Sequence, residues 1–152
     1  MTPPPLRNRI EIMHGVNMDA LGRRDPRHYP SLTLDELERK ISGFAGELGL
    51  EPSFFQTNSE RAFVERLHGL EKVADGIVIN PGAWTHYAWS IHDALEIARL
   101  PAVEVHLSAV DTREDWRKVS VVRDLCLATV SGEGVEGYRE ALVRLSAEIR
   151  DQ

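Results

Sequence analysis

A single cysteine, Cys126, stands among the 152 residues, so no internal disulfide can form and no oxidising compartment is implied. No apolar stretch approaches membrane-spanning length, and Met1-Thr2-Pro3-Pro4-Pro5 lacks the apolar run of a signal peptide. Positive charge is in deficit: 18 Lys and Arg against 24 Asp and Glu leave −6. Phosphate backbones call for a basic surface, which argues against nucleic acid as the main partner. What remains is an ordinary composition, 42% hydrophobic and 28% charged, sufficient for one core. The expectation is a soluble, cytoplasmic, single-domain protein that does not engage a membrane.

The consecutive prolines make residues 1–8 an expected flexible lead-in to one domain over residues 9–152. Arg9 to His14 reads as a strand, followed by a Gly-, Pro- and Arg-rich stretch from Gly15 to Ser31 with no period. Loops of that length are usually functional or mobile. Thr33 with Glu36 makes a capping box, and Leu34, Leu37, Ile41, Phe44, Ala45 and Leu48 form a helical stripe that Gly49 stops. A strand from Glu51 to Gln56 and a helix from about Ser59 to Leu70 follow. Gly76 to Asn80 is an apolar run suited to a strand covered on both faces. A helix over about Tyr87 to Ala98 leads to a strand over Ala102 to Leu107. A short helical piece near Arg113 to Lys118, a strand from Leu125 to Val130 and a helix from Tyr138 complete the pattern. Cys126 would lie inside that last strand as a small core residue. Five strands alternating with helices predict an α/β fold. The arrangement expected is a flavodoxin-like parallel sheet of order 2-1-3-4-5 with helices on both faces.

Ligands of such sheets bind beyond the carboxyl ends of the strands. Those ends are polar here: His14-Gly15-Val16-Asn17, Gln56-Thr57-Asn58, Asn80-Pro81-Gly82 and His106-Leu107-Ser108. Their coincidence points to a site for a small polar molecule. Glu104 and His106 stand two apart in a strand and so share a face. A carboxylate beside an imidazole fixes its tautomer and readies it to move a proton, although a structural ion pair has the same spacing. Arg24 and Tyr29 lie in the long first loop, where a guanidinium near a phenol favours the phenolate and makes a base. An exposed arginine and a packing tyrosine are the alternative. Arg113 and Arg117, four apart, would share a helix face and could grip carboxylate or hydroxyl groups, or pair with Asp111, Glu114 and Asp115. His86, His92 and Asp93 lack the tight spacing of metal ligands, so no metal is expected. Gly132 to Gly137 spells G-x-G-x-x-G, but Glu133 and Glu136 would repel a pyrophosphate, and a tight turn is the expected use.

Taken together, the motifs resemble the type II 3-dehydroquinate dehydratases from about Ile10 to Leu145. The matching pieces are His14 to Asn17, Leu21 to Pro26, Gln56 to Glu60, Asn80 to Ala83 with Thr85 and His86, and Asp93-Ala94. Further on they are Glu104 to Ser108, Arg113-Glu114 with Arg117, and Gly132 to Tyr138. The resemblance implies dehydration of 3-dehydroquinate to 3-dehydroshikimate through an enolate, without metal or organic cofactor. It also implies a homo-oligomer, a dodecamer built from trimers. By the same resemblance Tyr29 is the base, Arg24 keeps it ionised, Asn17 holds the water that stabilises the enolate, and His106, oriented by Glu104, protonates the departing hydroxyl. Asn80, His86 and Arg117 would hold ring hydroxyls, and the backbone at Leu107 and Ser108 the substrate carboxylate. Asp93 and Arg113 match positions that support the site or the subunit contact.

Several residues depart from the family pattern: Val16, Asp19, Pro30, Arg61, Ala88, Trp89, His92 and Ala109. Pro30 restricts the backbone at Tyr29, and Ala109 follows the expected carboxylate site. Retained proton-transfer residues in altered surroundings also suit a paralogue acting on another cyclic hydroxy-ketone. A catalytically silent binding protein is the remaining alternative.

Overall fold

The computed structural model describes residues 6–150; of the expected lead-in, residues 1–5 lie outside them. Asn8 is already tied down, its carbonyl accepting the Glu51 amide at 2.8 Å. The chain builds β1 (Arg9–His14), α1 (Leu34–Glu47), β2 (Glu51–Gln56), α2 (Glu60–His68), β3 (Gly76–Asn80), α3 (Trp89–Ala98), β4 (Ala102–His106), β5 (Ala128–Ser131) and α4 (Glu136–Arg150). All five strands run parallel in the order β2-β1-β3-β4-β5, as the alternation of elements implied. Among the described residues no helix is long and apolar enough to cross a membrane.

Side chains alternate across each strand, and this divides the core in two. Ile10, Ile12, Val78, Val103 and Val105 face α1 and α4, which contribute Leu37, Ile41, Tyr138, Leu142 and Leu145. Met13, Ile77, Ile79 and Ala102 face α2 and α3, which contribute Phe63, Leu67, Ile91 and Leu95. Glu104 and His106, in phase with Ala102, therefore belong to the second face. The α1 and α4 faces anticipated from helical spacing are the buried ones, and Thr33 Oγ1 accepts the Glu36 amide at 3.2 Å.

Three local expectations need correction. β5 begins at Ala128, not Leu125, because Arg123–Leu125 forms a 3-10 turn and pairing starts only where the Leu127 amide reaches the Ala102 carbonyl at 2.8 Å. Cys126 thus precedes the strand; it packs against the second core half, where burial pushes its thiol up to about 12. Arg113 and Arg117 do not share an α-helix either. Arg113 is extended (φ −104°, ψ −156°), and Arg117 sits in a separate 3-10 turn, Asp115–Lys118. The long segment after β1 is anchored, since Met18, Leu21 and Leu32 are buried in the first core half.

α3 ends on Arg99 in the left-handed region (φ 54°, ψ 35°), a conformation that costs a non-glycine residue about 1–2 kcal/mol. The side chain is exposed. Arg99→Gly is expected to add about 1 kcal/mol of stability and raise Tm by roughly 2–4 °C in a thermal melt. An unchanged or lower Tm would mean that the arginine side chain offsets the strain.

Candidate active site

The first turn beyond β1 and the turn beyond β3 are built against each other. A Cβ on Gly15 would meet the Pro81 carbonyl oxygen at 2.3 Å, and one on Gly82 the Val16 carbonyl oxygen at 2.6 Å. Gly82 is also at φ +66°, so both positions require glycine. Asn17 is itself left-handed (φ 68°), which asparagine tolerates better than most residues. The end of β2 braces this turn: Asn58 Oδ1 accepts the Asn17 amide at 2.8 Å while Asn58 Nδ2 donates to Asp19 at 3.1 Å. Gln56 donates to the Gly15 carbonyl at 3.2 Å. Of the four polar strand ends, that of β2 therefore supports the rim without lining it. His14 also turns away, buried with its ring stacked on Phe54 and Nε2 3.1 Å from Glu38 of α1.

Between these turns and the end of β4 lies a cleft of about 120 Å³. Asn17, Arg24, Tyr29, Asn80, His86, His106, Leu107, Ser108 and Arg117 line it, joined by Val16, Met18, Gly82, Ala83 and Val110. Nine of the twelve residues singled out from sequence thus meet in one place. Arg113 stands just behind, and Glu104 lies beneath His106. Asp93 does not join them: on α3, its carboxylate is 74% exposed and pairs with His92 at 2.9 Å. Among the departures, Val16 lines the cleft; Pro30, Ala88, Trp89, His92 and Ala109 do not.

On one side of the cleft the Tyr29 hydroxyl receives Arg24 Nη2 at 2.8 Å and Arg113 Nη1 at 2.9 Å. The Arg24 guanidinium also lies over the ring, 4.1 Å from its centroid. Arg113 Nη1 donates at 3.3 Å to Ser108 Oγ as well, linking the tyrosine to the end of β4. Two cationic donors on one phenol oxygen are complementary to a negatively charged oxygen. The second arginine was not legible from spacing, since Arg113 comes from a segment 84 residues away.

On another side, His106 Nε2 donates to Glu104 Oε2 at 2.6 Å, which leaves Nδ1 for a ligand in the cleft. Glu104 is fully buried and takes three hydroxyl donors besides: Thr85 at 2.5 Å, Ser120 at 2.7 Å and Thr129 at 3.3 Å. Burial works to raise its proton affinity, but the bonds from His106, Thr85 and Ser120 outweigh it and hold the carboxyl below the ordinary range. Sequence reasoning missed these hydroxyls. Thr85 entered only as part of the motif beside His86, and Thr129 is the residue that the parallel register pairs with Glu104.

His86 stacks on His106 at 6.3 Å and donates from Nδ1 to the Val119 carbonyl at 2.6 Å. Burial, followed by the nearby His106 and Arg117 charges, pushes its pKa down, so neutral His86 offers Nε2 as an acceptor. Asn80 is spent partly on structure: its Oδ1 accepts the Gly82 amide at 3.1 Å and its Nδ2 donates to Tyr138 at 3.2 Å. Arg117 is held by Glu114 at 2.5 Å. Gly132 and Gly134 have positive φ and open the turn into α4 away from the cleft. Among the described residues no three His, Cys, Asp or Glu side chains converge as a metal-holding group.

A cleft with a phenol oxygen held by two guanidinium groups and a carboxylate-backed imidazole can remove one proton and deliver another. Known proteins resemble most of the chain. Residues 8–146 match the family model described as dehydroquinase class II. The 3-dehydroquinate dehydratase of Syntrophotalea carbinolica is 43% identical over 139 residues, covering 91% of this chain and 94% of that one. That of Pelotomaculum thermopropionicum is 44% identical over 134 residues, covering 88% and 93%. Among solved structures, the type II dehydroquinase from Propionibacterium acnes superposes with a TM-score of 0.88 at 37% identity, covering 92% of this chain and 97% of that one. The chain belongs to the class II dehydroquinase family.

Proposed function

We propose that this chain is a hydro-lyase that converts 3-dehydroquinate into 3-dehydroshikimate, with Tyr29 as base and His106 as acid. The observation that carries the assignment is the pair of guanidinium donors on the Tyr29 oxygen, in the same cleft as an imidazole fixed by a buried carboxylate. Tyr29 takes the proton from the carbon beside the ketone, and the electrons of that C–H bond move into an enolate. Asn17, held left-handed at the cleft wall, positions a water against the enolate oxygen. The enolate then reforms the ketone, a carbon–carbon double bond forms, and the hydroxyl leaves as water with the proton from His106 Nδ1. The proton on Tyr29 and the vacancy on His106 are exchanged with solvent before the next turnover.

Asn80, His86 and Arg117 hold the ring hydroxyls, and the amides at Leu107 and Ser108 take the carboxylate. Arg113 acts with Arg24 on Tyr29. Support for a conventional pocket comes from the lining itself, since most of the departures in sequence fall outside it. The family resemblance also leads us to a cytoplasmic homo-oligomer, a dodecamer of trimers. Tyr87 and Trp89, each 62% exposed beside Asp93, supply apolar surface for a subunit contact.

Purified protein mixed with 3-dehydroquinate is expected to develop the absorbance of a conjugated enone, with turnover in the ordinary enzyme range of about 1–10³ per second. A folded protein that forms no enone would overturn the assignment and turn attention to other cyclic hydroxy-ketones.

A further inference from the structure

Residues 119–123 touch His86 and the Glu104 that backs His106, without lining the cleft. The Val119 carbonyl accepts from His86 Nδ1, the Val121 amide donates to the Thr85 carbonyl at 2.7 Å, and Val121 and Val122 are buried anchors. Between them Ser120 Oγ makes four contacts. It accepts the Val122 amide at 3.3 Å and the Arg123 amide at 3.1 Å, lies 3.2 Å from Thr85 Oγ1, and is 2.7 Å from Glu104 Oε1. A hydroxyl has one hydrogen and two lone pairs. With two backbone amides on its lone pairs, the Ser120 hydrogen is directed to Glu104. Thr85 directs its own hydrogen to the other carboxylate oxygen, the one that also accepts from His106.

We infer that Ser120 and Thr85 form a hydroxyl bracket that positions Glu104, and through it the acid His106, for the reaction proposed above. Neither residue touches the cleft contents as a reacting group; both are positioning residues. The bracket does two things. It fixes the carboxylate in the plane that keeps His106 Nδ1 turned to the cleft, and it withdraws negative charge from the oxygen that His106 shares. Removing a hydroxyl concentrates negative charge on the carboxylate, which stabilises the doubly protonated imidazole, so the Nδ1 proton is given up less readily. Thr129 already donates its hydrogen to Glu104 Oε1 at 3.3 Å, and the other groups near the pair are His86, stacked on His106, Arg117 in the same cleft, and Cys126, whose thiol burial keeps neutral. None of them replaces a lost hydroxyl donor.

The test is Ser120→Ala beside Ser120→Thr and Thr85→Val, read by turnover across pH and by histidine titration in NMR without substrate. Ser120→Ala is expected to lower kcat by about tenfold with KM changed less than about twofold, the size expected for one hydrogen bond to a charged group. The alkaline limb of kcat and the His106 titration should both move to higher pH, and Ser120→Thr should restore most of each. Thr85→Val should move the titration the same way, which keeps the test alive should Ser120→Ala fail to fold. An unmoved titration in either variant, or equal impairment by Ser120→Thr and Ser120→Ala, would overturn the bracket. If the parent protein did not turn over 3-dehydroquinate, the proposed function would fall, while the titration would still decide the bracket.

Discussion

Tyr29→Phe is expected to lower kcat by about 10²–10⁴-fold while KM stays within about threefold, because a general base acts in the transition state and contributes little to ground-state binding. The ring itself is retained, so the contact beneath the Arg24 guanidinium survives. What disappears is the oxygen on which Arg24 and Arg113 both place a hydrogen. Arg113 is poorly provided for otherwise. It is largely buried, its Nε has no hydrogen-bond partner, and its other polar contacts are the 3.3 Å bond to Ser108 and a long 4.0 Å ion pair with Glu114. Leaving it short of an acceptor costs about 1–3 kcal/mol. The variant should therefore also melt at lower temperature, and activity should be compared well below both transitions. Activity within tenfold of the parent under those conditions would remove Tyr29 from the role of base.

The sheet was legible because its signals are local. A nearly continuous apolar run marked β3 as a strand buried on both faces, and helical stripes on α1 and α4 named the faces that are in fact buried. Expectation failed where apolarity served packing without pairing. Leu125 and Cys126 are apolar because they cover the second core half from a 3-10 turn, so the strand was placed three residues early. Arg113 and Arg117 kept helical spacing in a stretch whose backbone bends through an extended residue, and the shared face does not exist.

The site was legible to the extent that one strand or one short loop carries it. Glu104 and His106 follow from the two-residue period of β4, and Arg24 with Tyr29 lie five residues apart in one loop. Contacts assembled from distant segments were not. Thr85, Ser120 and Thr129 reach Glu104 from 19, 16 and 25 residues away, and hydroxyl residues are too common for their spacing to signal anything. Asp93 shows the opposite limit: a motif match located it, yet its side chain points to solvent.

Glu104→Gln is expected to cost about 10²-fold in kcat at neutral pH, and the loss should shrink on acidification. Glutamine preserves the volume of a fully buried side chain, and the Thr129 hydroxyl can turn to accept from its amide. The negative charge does not survive. An ionised carboxylate 2.6 Å from the imidazole favours the protonated ring that must deliver a proton to the leaving hydroxyl. Without that charge the competent form persists only at lower pH, so the alkaline limb of kcat moves down. Loss of a bracketing hydroxyl moves the same limb up, and the opposite signs separate the charge of Glu104 from its placement. Stability carries a second signature. Because Glu104 is held below its ordinary value of 4.5 in the folded state, it stabilises the fold fully above that value and loses this contribution as pH falls through the folded one. Glutamine has no such contribution to lose, so denaturation midpoints of the variant should depend less on pH in that acid window. An alkaline limb that stays in place, or moves up, would detach Glu104 from the proton on His106 and leave it a purely structural anion.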